Sequence, residues 1–286
     1  MEAALSVEHL NKSYPGFSLQ DVSLTLPKGT IMGIVGENGA GKSTVMKIML
    51  DLVRADSGTV HMLGCENVGK NKNIKEEIGV VFDEINFYET LTVEQIEKIG
   101  KASYKNWDSQ IFEQYLTRFS LPKKKEVKVF SKGMQVKLCL AFAMSHHAKL
   151  LILDEPTSGL DPVIRDEILD IFLEFVQEED HAILLSSHIT TDLEKIADYI
   201  TFLHEGKVIF SKTKDELIYE YGLLKCKEED FLKMEKQDIV AYRKLDYSYE
   251  VLVEEREKMA KKYPNVVVDA ATIEEIMLLY VKGETK

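Results

Sequence analysis

The stretch VGENGAGKST, residues 35–44, lies between an apolar run and an amphipathic one. Gly36, Gly39 and Gly41 remove side chains where the backbone must bend sharply and approach something closely. From Gly36 to Ser43 the order is Gly, four open positions (Glu37, Asn38, Gly39, Ala40), then Gly-Lys-Ser, the P-loop pattern that cradles a polyphosphate. "GTIMGIV" before it reads as a buried strand, and "STVMKIMLDLV" after it as a helix. That order delivers loop N–H groups and a helix N-terminus to one spot, which suits an anion. Lys42 would reach the β- and γ-phosphates and the Ser43 hydroxyl would ligate Mg²⁺. A bare glycine turn with a surface lysine has no need of a strand and a helix on either side.

A chain of 286 residues, 45% hydrophobic and 29% charged, has the composition of an ordinary soluble protein of one large or two modest domains. Its longest uncharged apolar runs, "LCLAFAM" and "LLIL", are far too short to cross a bilayer. "MEAALSVEHL" has neither a basic start nor a long apolar core, so a cytoplasmic chain is expected, any membrane span belonging to another polypeptide. With 36 basic against 48 acidic residues, the net charge of −12 argues against general nucleic-acid binding. Cys65, Cys139 and Cys226 are widely spaced and form no CxxC, so they read as reduced thiols rather than a disulfide framework or metal site. His146 and His147 are adjacent on a predicted helix end, point in different directions, and are expected on the solvated surface.

"LSVEHLNKSY" and "LQDVSLTL" alternate like half-buried strands, and "GTVHML" and "IGVVF" are strand-like too. From about Thr92 to His147 the chain turns helical, predicting a helical subdomain inserted into an α/β core over roughly residues 86–147. "KLLILDE" and "HAILLSSH" are buried strands, with Asp161 capping and Pro162 opening the helix between them. "TTDLEKIA" reads as a short helix and "YITFLHEGKVIF" as a hairpin turning at Glu205-Gly206. Alternating strands and helices predict a mainly parallel sheet covered on both faces. After about Gly222 the texture becomes charge-rich, predicting one main unit over 1–221 and a small α+β appendage over 222–286.

Asp154 emerges at the end of the apolar strand "LLIL", where open α/β sheets bind ligands, and can hold Mg²⁺ opposite Ser43. Glu155 beside it is placed to orient, or take a proton from, a water attacking the γ-phosphorus. Phe130-Ser131-Lys132-Gly133-Met134-Gln135 precedes an apolar helix, and Ser131 stands 23 residues before Asp154. This segment resembles the Leu-Ser-Gly-Gly-Gln signature of ATP-binding cassette (ABC) ATPases, with Lys132 and Met134 as departures. Ser158-Gly159-Leu160-Asp161 then looks like the D-loop, His188 matches the switch histidine, and Tyr14 sits where the family stacks an aromatic on adenine. The resemblance covers roughly residues 4–215 through six ordered motifs.

The resemblance implies a P-loop NTPase core with an antiparallel β subdomain, and ATP with Mg²⁺ as ligands. It implies two cassettes meeting head to tail, the Ser131 and Gly133 donors of one completing the ATP site of the other. The second cassette would be a copy or a relative, and a separate transmembrane permease would hold the pair at the cytoplasmic face of the membrane. Where the family carries its Q-loop glutamine this chain has Asp83 followed by Glu84, and either acid could replace it at the metal. "VFDE", "FSKGM" and "LDEPTSGLDP" together resemble ABC-2-type exporters of peptides or drugs. A soluble cassette protein of the ribosome would carry two cassettes or long coiled coils, neither of which this sequence shows. A non-transport membrane regulator stays open as an alternative, and retention of Lys42, Asp154 and Glu155 argues against an inactive ATP-binding module.

Overall fold

The computed structural model describes residues 2–66, 71–83 and 87–284. Its centre is a six-stranded sheet. In chain order the first elements are β1 (Ala3–Tyr14), β2 (Phe17–Pro27), β3 (Ile31–Val35), α1 (Lys42–Met49), β4 (Ser57–Met62), β5 (Cys65–Glu66), α2 (Lys72–Glu76) and β6 (Ile78–Val81). Three helices follow, α3 (Val93–Ser103), α4 (Ser109–Arg118) and α5 (Lys132–Met144). The chain then returns to the sheet through β7 (Leu150–Asp154), α6 (Pro162–Phe175), β8 (Ala182–Ser187), α7 (Thr190–Ile196), β9 (Tyr199–His204) and β10 (Lys207–Thr213). The central order is β10-β9-β3-β8-β7-β6, parallel throughout except for the β9–β10 hairpin.

The strands are apolar without interruption because both faces are covered. On β7, Leu150 and Ile152 join a cluster with β1, β2 and α1, while Leu151 and Leu153 face the helices. On β8, Ala182 and Leu184 take the first side and Ile183 and Leu185 the second. Gly33 on β3 is open where a Cβ would meet Leu193 Cδ2 at 2.5 Å, so α7 lies close against the strand. The first cluster is roofed by an antiparallel sheet of order β2-β1-β4-β5.

Each of the three α-helices between β6 and β7 has a side-chain cap at its start. Thr92 and Gln95 form a capping box on α3, Asp108 accepts from Gln110 and Ile111 on α4, and Ser131 accepts from Met134 N at 3.3 Å on α5. Asp161 caps α6 with Pro162 in the first turn, as the sequence predicts.

The remaining elements are β11 (Gly222–Cys226), α8 (Glu228–Phe231), β12 (Ala241–Lys244), β13 (Tyr249–Val253), α9 (Arg256–Lys262), β14 (Val268–Ala270) and α10 (Ile273–Lys282). Their antiparallel sheet has the order β12-β13-β11-β14. One side has its own apolar cluster around Leu224, Val251 and Met259. The other side, with Leu223, Leu252 and α10 residues Ile273, Ile276 and Leu279, belongs to the same cluster as Leu185 and Leu193.

Two expectations change. The helix after the P-loop stops at Met49 rather than running on through Val53, and Asp51 takes a left-handed φ of 56°. His146 is fully buried rather than solvated: it stacks on Tyr104 at 3.9 Å, and its Nδ1 lies 2.8 Å from Glu76 O. Position on the helix end decides nothing there, because α2 and the loop after α3 close over that end. His147 remains on the surface.

Candidate functional site

Loops leaving the carboxyl ends of β3, β6 and β7 converge on one cleft of about 600 Å³, where open parallel sheets bind ligands. Glu37, Asn38, Gly39, Gly41, Lys42, Ser43 and Thr44 line it from the P-loop. Asp83, Asp154 and Glu155 line it from the strand ends, and Gly16 and Phe17 from the β1–β2 hairpin.

The glycines of the loop divide their work. Gly39 (φ 86°) and Gly41 (φ 111°) sit in the left-handed region, which other residues enter at a cost. Gly39 has open space beyond it, whereas a Cβ on Gly41 would lie 2.8 Å from Phe17 Cζ. A Cβ on Gly36 would meet Leu203 O at 2.2 Å. Close approach at Gly36 and Gly41 is thus to the protein's own β9 and β2, not to the ligand side. Ala40 O accepts from Gly206 N at 3.0 Å, so the β9–β10 turn braces the loop from behind. With the loop braced, α1 starts at Lys42, and its first-turn N–H groups have no intrahelical acceptor.

Lys42 is buried, and its Nζ donates to Gly36 O at 2.7 Å and Glu37 O at 3.3 Å. It also stands 3.6 Å from Glu155 Oε1. Glu155 Oε2 is 2.6 Å from His188 Nδ1 and accepts from His188 N at 3.3 Å. Glu155 has a φ of 51°, unusual for a residue with a side chain, and strain of this kind concentrates at functional positions. Ser186 secures the turn: its Oγ donates to the buried Asp154 Oδ1 at 2.6 Å and accepts from Glu155 N at 2.9 Å.

Ser43, Asp83 and Asp154 bring one hydroxyl and two carboxylates into the same cleft, an oxygen donor set that fits Mg²⁺. Glu84 lies outside the described residues. Ser131 and Gly133 are not in the lining of this cleft; they sit at the start of α5, with Ser131 exposed. Gly133 packs closely, since a Cβ there would lie 2.9 Å from Ile164 Cγ2. Tyr14 is 41% exposed under Lys12 Nζ, which stands 5.4 Å above its ring, and it too lies outside the lining. Its hairpin partner Phe17 takes that place.

Three contributors were not singled out from sequence. Gly16 and Phe17 enter through the hairpin register, which a strand pattern alone does not give. Ser186 did leave a signal, a polar pair ending the buried run "AILLSS" immediately before His188.

Comparisons with known proteins agree with this geometry. The ABC transporter family pattern matches residues 19–158. The lantibiotic transport ATP-binding protein SrtF of Streptococcus pyogenes is 37% identical over 214 residues, 74% of this chain and 91% of that protein. The bacitracin transport ATP-binding protein BcrA of Enterococcus faecalis is 36% identical over 76% of this chain and 71% of its own length. The solved structure of an ATP-binding subunit of an ABC transporter superposes with a TM-score of 0.68 at 28% identity, covering 75% of this chain and 91% of that one. The chain belongs to the ABC transporter family and is one of its ATP-hydrolysing, ATP-binding cassettes.

Proposed function

We propose that this chain drives export, of peptides or drugs, through a separate transmembrane permease at the cytoplasmic face of the membrane. Two cassettes would bind ATP head to tail between them. One observation carries the paired arrangement: Ser131 and Gly133, which the signature resemblance assigns to a phosphate, stand outside the phosphate cleft of their own chain. The exporter assignment is supported by the printed roles of the relatives, lantibiotic transport for SrtF and bacitracin transport for BcrA. Residues 1–221, with the helical insertion at 86–147, would form the ATPase unit and residues 222–286 the appendage. No helix among the described residues is long and apolar enough to cross a membrane.

In this reading the P-loop amides and Lys42 hold the β- and γ-phosphates, and Tyr14 or its neighbour Phe17 offers a ring for the adenine. Ser43, Asp154 and Asp83 would hold Mg²⁺, which neutralises phosphate charge when bound. Glu155 accepts a proton from the attacking water, and His188, 2.6 Å away, fixes the carboxylate. Ser131 and the start of α5 offer donors and the positive end of a helix to the other chain's nucleotide.

The test combines two variants. Glu155→Gln with ATP should form a lasting dimer in sedimentation, and adding Ser131→Arg should block that dimer while the monomer still binds ATP. A monomer that loses ATP affinity on Ser131→Arg would place Ser131 in its own chain's site and end the paired reading. Pull-down of the Glu155→Gln protein from native membranes should bring a multi-span protein with it; its absence would count against export.

A further inference from the structure

Two departures from the family pattern, Asp83 and Lys132, meet in space. Lys132 Nζ lies 3.7 Å from Asp83 Oδ1, with both side chains about half exposed, at 48% and 54%. Lys132 also extends across the SGLD segment: a Cβ on Gly159 would stand 3.3 Å from its Nζ, and Gly159 has a left-handed φ of 67°. One ammonium thus bridges a cleft-lining acid and the segment before α6, while its own backbone follows Ser131 in the first turn of α5.

We propose that Lys132 is a phosphate-binding residue serving the ATP of a second copy of this chain, and that Asp83 holds it in the free chain. The inference rests on the head-to-tail reading. Each copy carries a net charge of −12, so closing two copies around two nucleotides gathers like charge that needs local cations. Lys132 is such a cation, placed beside Ser131, where the helix N-terminus already favours an anion. Consecutive Cα atoms are about 3.8 Å apart, and a lysine stem spans more than that, so an anion at Ser131 is within its reach. A half-exposed ion pair of this kind contributes little, so Asp83 is a holder that a multiply charged phosphate displaces. The exchange also leaves Asp83 uncovered on the cleft side when the two copies close.

The experiment uses the full chain with Glu155→Gln, ATP and EDTA, so that neither turnover nor metal binding at Asp83 enters the readout. Dimerisation is measured by sedimentation equilibrium at about 0.05 M and about 0.5 M salt. Lys132→Gln should weaken the ATP-dependent dimer about tenfold at low salt, the scale of one charge-assisted contact, and much less at high salt. Lys132→Arg should retain most of the dimer, and Asp83→Asn should strengthen it. Equal dimerisation of Lys132→Gln and its parent at both salts would overturn the proposal. So would an equal loss of ATP affinity in the Lys132→Gln monomer, which would put the lysine in its own chain's site. Should the parent protein form no ATP-dependent dimer, the head-to-tail reading fails and takes this inference with it. A parent dimer insensitive to Lys132 removes only the inference.

Discussion

Lys42 Nζ and Glu155 Oε1 face each other at 3.6 Å, so the loop cation and the strand-end carboxylate neutralise one another across the cleft. Phosphate must compete with Glu155 for this lysine. Glu155→Gln removes the competing charge along with the proton acceptor. ATP affinity should hold or rise slightly, while turnover falls by about 10²–10⁴-fold, the usual contribution of a positioned base. Steady-state hydrolysis and equilibrium ATP binding read the two effects separately, and an unchanged turnover would remove Glu155 from the role.

Ser186 satisfies Asp154 and the Glu155 amide at once. Ser186→Ala leaves a buried carboxylate oxygen and an N–H short of a partner, so a loss of about 1–3 kcal/mol in urea unfolding is expected. The rate constant should drop more than the ATP affinity, because the phosphate loop on β3 is untouched. Equal stability of variant and wild type would mean that the pair holds its turn without Ser186.

Asp83 lines the cleft but lies on an exposed strand end. Asp is shorter than the family's glutamine by about one carbon–carbon bond, ~1.5 Å, so it suits a contact to Mg²⁺ through water. Asp83→Ala should raise the Mg²⁺ concentration for half-maximal hydrolysis, and Asp83→Gln should restore much of the wild-type curve. Superimposable Mg²⁺ titrations for wild type and Asp83→Ala would leave Asp83 only its contact with Lys132.

Burial holds the His146 imidazole below the ordinary histidine value of 6.5, against the opposing pull of its bond to Glu76 O. Above that value both folded and unfolded chains are neutral here, and nothing is lost. As pH falls through it, the unfolded chain takes up a proton that the folded chain refuses, so stability declines with acid. His9 acts with the opposite sign through Asp21, but it is fully exposed. Denaturant midpoints at about pH 7.5 and about pH 5.5 should therefore differ less for His146→Phe than for wild type. Identical differences would show that His146 is not the group that titrates.

Legibility in the sequence followed how local each cause is. The P-loop is readable because Gly39 and Gly41 answer to their own φ angles, and the Asp161-Pro162 helix start because capping acts within three residues. The strand run "LLIL" gives away a sheet buried on both faces. Phe17 in the cleft depends on where a hairpin leans, and the burial of His146 on α2, seventy residues earlier in the chain. Nothing within a local window of sequence announces either. The Asp83–Lys132 pair was visible only as two unrelated oddities until the fold brought positions 49 apart together.

The apolar cluster that joins Leu185 and Leu193 to Ile273, Ile276 and Leu279 has a consequence for how the protein is made. A ribosome adds roughly 5–20 residues per second, so the about 60 residues from Gly222 through α10 take roughly 3–12 s to emerge. Throughout that interval the newborn ATPase carries its nucleotide loops complete but its α7 flank bare and oily. Until α10 arrives to cover it, that flank is open to contact with neighbouring chains on a crowded polysome.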